Sequence, residues 1–420
     1  MTTFVIVGGG LAGAKAAETL RAEGFTGEIV LFGDETEVPY ERPPLSKDYL
    51  LGKKPRESAY VHPAEWYAEN SVDLRTGVSV AAIERPTNTV IFEPSAHRGA
   101  ASPPVSFPGG TQHYDKLLLA TGASPRRLDI PGEALDGVRY LRKLPDSDAL
   151  REEFTRGRRV VIVGSGWIGL ETAAAASLAG CHVTVIEPQP TPLYYAIGPE
   201  LGAVFTALHQ AHGVEFRFGE TAAEFHGDAA GRLGSVLTSA GAVLPADVAI
   251  VAIGAGPNDG LGREAGLEIG NGVVTDAALR TSDPDIYAAG DVAFTFLPLL
   301  GTHVRVEHWS NALNGGPAAA RSMLGQEVEY NRVPYFYTDQ YDLGMECSGL
   351  PSPSAYDQVV YRGDRAALEF ISFWLKEGRV IAGMNVNIWD VTADIQSLIH
   401  GKRPVDPARL ADPEIPLVDV

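Results

Sequence analysis

Two glycine-rich motifs constrain this chain more than any other feature. Gly8-Gly9-Gly10-Leu11-Ala12-Gly13 follows the apolar run Thr3-Phe4-Val5-Ile6-Val7. Gly164-Ser165-Gly166-Trp167-Ile168-Gly169 follows Val160-Val161-Ile162-Val163. Each is a GxGxxG at an expected strand-to-helix junction, a pattern with a definite physical meaning. The first glycine permits a tight turn, and the second lacks a Cβ and lets a pyrophosphate approach the backbone. The third lets the helix pack close to its strand. The helix N-terminus then offers free N–H groups and the positive end of its dipole to the phosphates. Two such units in one chain predict two dinucleotides bound side by side, with electrons passing between them.

The residues that follow each motif support that reading. After the first comes the strand Glu28-Ile29-Val30-Leu31-Phe32 and then the acidic pair Asp34-Glu35, with Asp34 21 positions beyond Gly13. A carboxylate at that distance accepts hydrogen bonds from a ribose diol. After the second comes an alanine-rich helix, the strand His182-Val183-Thr184-Val185-Ile186, and Glu187, 18 positions beyond Gly169. A carboxylate there favours a free 2′-hydroxyl and repels a 2′-phosphate. The next residues, Pro188 to Pro192, contain no Arg or Lys. NADH is therefore expected over NADPH.

A length of 420 residues implies two or three domains. Apolar residues make up 45% and charged residues 21%, a globular balance. No apolar run approaches the ~18 residues of a membrane span, and the N-terminus enters a strand without a basic, then apolar, leader. A cytoplasmic protein is expected. The two cysteines, Cys181 and Cys347, form no CxxC pattern, so neither a disulfide framework nor a zinc site is expected. The formal charge of −19 argues against nucleic acid or anionic membranes as partners.

Further motifs tie the two units together. Lys116-Leu117-Leu118-Leu119-Ala120-Thr121-Gly122-Ala123 reads as a buried strand ending in Ala-Thr-Gly, and Thr281 to Asp291, closing on Ala288-Ala289-Gly290-Asp291, reads as a second such strand. Ala252-Ile253-Gly254-Ala255-Gly256-Pro257 lies between the second fingerprint and that strand. In this order the motifs resemble the two-dinucleotide flavoproteins of glutathione-reductase type across essentially the whole chain. The segment after the first unit selects the chemistry. Disulfide reductases carry a CxxxxC there, and related peroxidases and oxidases a single cysteine. This chain has Pro39-Tyr40-Glu41-Arg42-Pro43-Pro44-Leu45-Ser46-Lys47 instead. That run resembles the FAD-dependent ferredoxin reductases of oxygenase systems, a group that also includes rubredoxin and monodehydroascorbate reductases and apoptosis-inducing factor.

The resemblance implies an α/β fold with two Rossmann-like dinucleotide-binding domains and a C-terminal α+β interface domain. The expected boundaries are 1–124 with 247–325 for FAD, 125–246 for NAD, and 326–420 for the C-terminal domain. It places FAD on Gly8, Gly10, Leu11, Ala12, Gly13, Asp34 and Glu35, and on Arg42 and Lys47. Val80 and Arg126 are implied on the adenine side. Asp291 is implied at the ribityl and phosphate region and Trp309 at the isoalloxazine, with Ala120, Thr121, Gly122 and Gly290 as further FAD contacts. It places NADH on Gly164, Gly166, Trp167, Ile168, Gly169, Glu171, Glu187 and Gly254. Lys47 and Glu171 are the candidate catalytic residues. A cation near the flavin stabilises its anionic reduced form, and relatives place a glutamate like Glu171 near the nicotinamide carboxamide. Trp167 stands where relatives carry Tyr or Phe, an aromatic that covers the flavin before the nicotinamide arrives.

The implied reaction is NADH to FAD to a 2Fe–2S ferredoxin, which feeds a cytochrome monooxygenase or a ring-hydroxylating dioxygenase. The expected assembly is a monomer or weak dimer. Two other readings share these motifs: an NADH-sensing flavoprotein like apoptosis-inducing factor, and a reductase of a small radical such as monodehydroascorbate. An acidic ferredoxin would be repelled at long range by the net charge, but salt limits that repulsion to about 8 Å. A local basic patch then suffices, with Arg305 or the group Lys53, Lys54 and Arg56 as candidates. Residues 93–113 are rich in Pro, Gly and Ser and are expected as an exposed loop. From about Gln326 onward, Tyr335 to Tyr341 and Leu368 to Leu375 read as strands. Lys376-Glu377-Gly378-Arg379 is expected as a hairpin turn, and Tyr337 as sheet packing or a residue near the electron exit. Asn314-Gly315-Gly316 departs from the usual Gln-Gly of the group.

Overall fold

The computed structural model describes residues 1–96 and 108–420. Its contacts divide the chain into two compact units. One comprises Met1–Arg42, Arg56–Ser124 and Gly256–Pro334, and the other Pro43–Pro55, Pro125–Ala255 and Tyr335–Val420.

The first unit is built on a parallel five-stranded sheet. Its order is Ile286–Ala288, Lys116–Leu119, Thr3–Val7, Glu28–Gly33, Val72–Thr76. Numbered along the chain, this is the 3-2-1-4-5 order of a nucleotide-binding half. The strand Thr3–Val7 is buried along its whole length, as a central parallel strand covered on both faces must be. The helix Leu11–Ala22 follows it. A second helix, Trp309–Met323, packs against that one, and Gly316 marks the crossing. A Cβ at Gly316 would overlap the Ala12 carbonyl and stand 3.2 Å from its Cα. Close packing therefore demands the second glycine of Asn314-Gly315-Gly316, whereas a Cβ on Gly315, which stands in place of the usual Gln, would meet only ordinary contacts at 3.7 Å.

An antiparallel sheet of Val78–Glu84, Thr89–Pro94 and Gly110–His113 also belongs to this unit. It corrects the expectation of one exposed loop over 93–113. Pro94 pairs with Val78, and Gly110, Thr111, Gln112 and His113 pair with Phe92, Ile91, Val90 and Thr89. Alternating Val90 and Phe92 bury against the core of the unit, and that burial overrides the local turn composition. Residues 97–107 of the expected loop lie outside the described residues.

The second unit repeats the parallel architecture. Its sheet runs Glu215–Phe218, His182–Glu187, Arg159–Val163, Val248–Val251, Val138–Arg139. The order is again 3-2-1-4, with the far edge filled by a two-residue strand that precedes the fingerprint. The helix Trp167–Leu178 covers it. The C-terminal segment forms an antiparallel sheet of Tyr335–Gln340, Leu343–Gly349, Arg379–Val386, Glu369–Lys376 and Gln358–Asp364. The turn at Lys376–Arg379 forms as expected. Its two central residues, Glu377 and Gly378, both have positive φ (49° and 73°), the conformation that matches the twist of a two-residue hairpin.

Candidate functional site

Each fingerprint builds an anion cradle, and the two are near copies. Gly8 sits at φ +129° and Gly164 at φ +97°, where side chains are strained. A Cβ on Gly8 would overlap the Ala120 carbonyl oxygen, and one on Gly164 would lie 2.5 Å from the Ala252 carbonyl oxygen. Gly13 and Gly169 touch the carbonyls of Gly8 and Gly164 in the same way, so each helix abuts its own strand turn. Gly10 and Gly166 are different. Their φ values, −104° and −70°, suit any residue, and a Cβ on either would meet nothing within 4 Å. Each is the N-cap of its helix, with no side-chain cap and no acid in the first turn. The leading N–H groups thus face open space in a positive dipole field, which fits the pyrophosphate of a dinucleotide.

Around the first cradle, Asp34 and Glu35 follow the second strand, both half-buried. Glu35 accepts from the Tyr40 hydroxyl at 2.6 Å and from Arg42 at 2.9 Å. The Arg42 guanidinium also lies over the Tyr40 ring, 4.6 Å from its centroid. Two residues expected separately at FAD, Glu35 and Arg42, are therefore brought together. Leu11 and Ala12 are buried in the first helical turn. Gly290 faces Ala12, 3.2 Å from where its own Cβ would stand, and Asp291 follows in the same short turn. Thr121 donates to the Asn258 carbonyl at 2.8 Å, and the Asn258 N–H donates to Gly122 at 2.9 Å. This stitches the Ala120-Thr121-Gly122 motif to residues that follow Gly254. Val80 lies at a bulge of the antiparallel sheet. Trp309 opens its helix and donates its indole N–H to Glu41 at 3.1 Å. Burial pushes the Glu41 carboxyl up, the indole bond opposing it. Glu41 carries no signal in the sequence beyond its place in the run Pro39 to Lys47.

Around the second cradle, Glu187 is buried, and its carboxylate closes over the fingerprint. One oxygen accepts from the Ser165 N–H at 3.0 Å and the Ser165 hydroxyl at 2.6 Å, and the other from the Gln189 N–H at 2.8 Å. Ile168 is exposed in the first turn, whereas the Trp167 ring packs on Phe336 at 4.8 Å and edge-on to Phe205 at 5.7 Å. Arg126 and Gly254 meet through the backbone, the Arg126 N–H donating to the Gly254 carbonyl at 2.9 Å.

Lys47 and Glu171, the candidate catalytic residues, form a direct ion pair at 2.5 Å, with side chains 13% and 6% exposed. Both belong to the second unit. Glu171 also accepts from the hydroxyls of Ser46 and Thr338, the latter at 2.5 Å. The Lys47 ammonium lies 5.5 Å from the Tyr337 ring centroid. Thr338 was not foreseen; only the strand containing it was legible. The candidate basic patches are largely neutralised. Arg305 is ion-paired to Glu307 with its side chain 7% exposed, Arg56 pairs with Glu37 at 2.8 Å, and Lys54 pairs with Asp48 at 3.0 Å. Of the cysteines, Cys347 is fully buried in the C-terminal sheet. Cys181 donates to the Thr155 carbonyl, beyond the C-terminal end of the second fingerprint helix. Burial pushes both thiols up, away from the reactive thiolate.

Two cradles on open parallel sheets, each followed by a carboxylate, define a two-dinucleotide oxidoreductase. Residues 2–316 match the family described as pyridine nucleotide-disulphide oxidoreductase, and residues 335–420 match the reductase C-terminal family. The chain belongs to the pyridine nucleotide-disulphide oxidoreductase family, whose cofactors are FAD and NAD(H). It is 40% identical to the ferredoxin–NAD(+) reductase component of the anthranilate 1,2-dioxygenase system of Burkholderia cepacia, covering 99% of this chain and 98% of that one. It is 36% identical to putidaredoxin reductase of Pseudomonas putida over 99% of this chain and 96% of the relative. Among solved structures it is similar to putidaredoxin reductase in its covalent complex with putidaredoxin. There the TM-score is 0.92 at 36% identity, covering 99% of this chain and 97% of that one. No helix among the described residues is long and apolar enough to cross a membrane.

Proposed function

We propose that this chain is an NADH-dependent reductase of a 2Fe–2S ferredoxin that supplies an oxygenase. The observation that carries the reading is the presence, beside two pyrophosphate cradles, of a segment, Pro39 to Lys47, that offers a partly buried, ion-paired lysine where disulfide reductases offer thiols. When bound, FAD accepts a hydride from the nicotinamide and passes its electrons on singly. Every other contribution falls to the chain's own residues. Gly8, Gly10 and Gly13 leave room for one pyrophosphate, and Gly164, Gly166 and Gly169 for the other. Asp34 and Glu35 serve the first ribose, Glu187 the second. Lys47 holds a cation at a fixed place, with Glu171 as its counter-ion and orienting partner. No acid, base or nucleophile is needed, so positioning and electrostatics supply the rate.

The relatives in dioxygenase and putidaredoxin systems support ferredoxin as the acceptor. The domain division 1–124 with 247–325, 125–246 and 326–420 belongs to the same reading. So does a cytoplasmic location, which suits two cysteines that are both free. The test is anaerobic stopped-flow reduction of the FAD-loaded protein, followed by mixing with a 2Fe–2S ferredoxin, monodehydroascorbate or ferricyanide. Expected are a higher kcat/KM with NADH than with NADPH and electron transfer to ferredoxin within each turnover. A long-lived reduced complex that ignores ferredoxin, or a higher kcat/KM with NADPH, would overturn the proposal.

A further inference from the structure

The candidate pair Lys47–Glu171 does not end at Thr338. The strand Tyr335–Gln340 carries Gln340 two residues on, and the Gln340 amide donates to the Thr338 hydroxyl oxygen at 3.2 Å. The amide oxygen of Gln340 meets His209 Nε2 at 2.8 Å. His209 Nδ1 in turn faces the Tyr341 hydroxyl at 3.3 Å. Thr338, Gln340 and His209 are 0%, 1% and 0% exposed, so bulk solvent does not reach these groups.

Counting protons fixes the direction of every bond. The Glu171 carboxylate only accepts, from Lys47, Ser46 and Thr338. Thr338 has one hydroxyl proton, and Glu171 takes it, so Thr338 must accept from Gln340. That orients the Gln340 amide with its NH2 toward Thr338 and its oxygen toward His209. His209 must then carry its proton on Nε2, and Nδ1 is left as the acceptor for Tyr341. Reversing any one member would set two acceptors or two donors face to face in a buried site, which costs the full desolvation of each group. His209 is also held neutral, since burial pushes it down to about 4, the Gln340 bond opposing this.

We propose that Gln340 and His209 are positioning residues, which lock the Thr338 hydroxyl onto Glu171 and thereby hold the Lys47–Glu171 pair in its working geometry. This rests on the reading that Lys47 and Glu171 act at the cofactors. The catalytic segment and the C-terminal sheet share one hydrogen-bond chain of fixed polarity, anchored on the helix Pro199–Ala211 that bears His209. Removing a link releases the hydroxyl, and the pair loses one of the groups that orient it. Such coupling through a packed network is worth about 2- to 30-fold.

The experiment uses the full chain loaded with FAD. Side-chain NMR of His209 should show the Nε2–H tautomer, and Thr338→Val should abolish that uniformity by freeing the Gln340 amide. In stopped flow, Gln340→Leu should lower the limiting rate of flavin reduction by NADH about tenfold, with KM for NADH moved less than threefold. His209→Phe should match it. His209→Gln, whose amide can still donate to Gln340, should recover most of the rate. Lys47→Met is measured alongside. If Lys47→Met slows reduction and Gln340→Leu does not, the positioning role is refuted while the Lys47 reading stands. If Lys47→Met changes nothing, the Lys47 reading itself fails. An Nδ1–H tautomer at His209 overturns the polarity of the chain whatever the rates. Should Gln340→Leu not fold, Thr338→Ser against Thr338→Val decides the same point, with Ser expected to keep the rate and Val to lose it.

Discussion

The second cradle makes two alanine substitutions, three residues apart, behave in opposite ways. Gly166→Ala places a methyl where nothing lies within 4 Å, at a φ of −70° that alanine adopts freely. Folding stability should change by less than about 1 kcal/mol. The methyl stands in front of the helix N-terminus, however, and holds a phosphate oxygen off at van der Waals contact. Losing one charge-assisted hydrogen bond there costs about 1.5–3 kcal/mol, or roughly 10- to 150-fold in Kd for NAD(H). Gly169→Ala places its methyl closer than 3 Å to the Gly164 carbonyl oxygen and 3.4 Å from Ala252 Cβ. Backbone surrounds it, so the helix must move off its strand, at about 1–3 kcal/mol of overpacking. In a unit of this size that lowers Tm by about 2–4 °C per kcal/mol. Calorimetric titration with NAD+ and thermal unfolding, with flavin absorbance to check FAD content, separate the two effects. Gly166→Ala should lose binding and keep Tm, and Gly169→Ala should lose Tm. A Gly166→Ala protein that binds NAD+ like the wild type would refute the assignment of this cradle to the pyrophosphate.

Two further predictions concern pH. Burial raises the folded-state pKa of Glu41 above its unfolded value, so the stability tied to this group is present at low pH and lost as pH rises through the folded value. Glu41→Gln keeps an acceptor for Trp309 and should raise Tm at pH 8 while leaving it nearly unchanged at pH 4; equal shifts at both would contradict this. His209 and His308 are both pushed down to about 4 by burial, so the folded state resists protonating them. The stability they contribute is present above their unfolded pKa of ~6.5 and should be lost as pH falls through 4, on the order of 3 kcal/mol each. Denaturant titrations between those limits would measure it, and a flat profile would refute the burial of both rings.

Much of this molecule was legible along the chain because its informative features are local. A glycine fingerprint, its strand and the following carboxylate fall within about 30 residues, and both fingerprints sit at strand-to-helix turns as read. What escaped was whatever depends on partners far apart in sequence. Thr338 lies 167 positions from Glu171 and Gln340 131 from His209. The period-2 pattern located their strand but not what the strand faces. Tyr337 drew notice because aromatics are conspicuous, yet its neighbour Thr338 makes the buried contact. The need for glycine at Gly316 is hidden in the sequence because nothing around it announces Ala12. The strands at the two ends of 93–113 are hidden for a related reason. Turn composition is visible in sequence, whereas the pairing of Thr111 with Ile91 is a tertiary fact.

The sheet order of the first unit also bears on how the protein is made. Lys116–Leu119 is flanked on one side by Thr3–Val7, which emerges early, and on the other by Ile286–Ala288. At ribosomal speeds of about 5–20 residues per second, the strand waits roughly 10–30 s for that second neighbour. Throughout the wait an apolar sheet edge stands open, and Leu11–Ala22 lacks the helix that will cover it. The intervening chain supplies most of the second unit, which itself cannot close until Tyr335–Val420 has appeared. Neither half can finish early, so the nascent chain is exposed to chaperones and proteases for most of its synthesis.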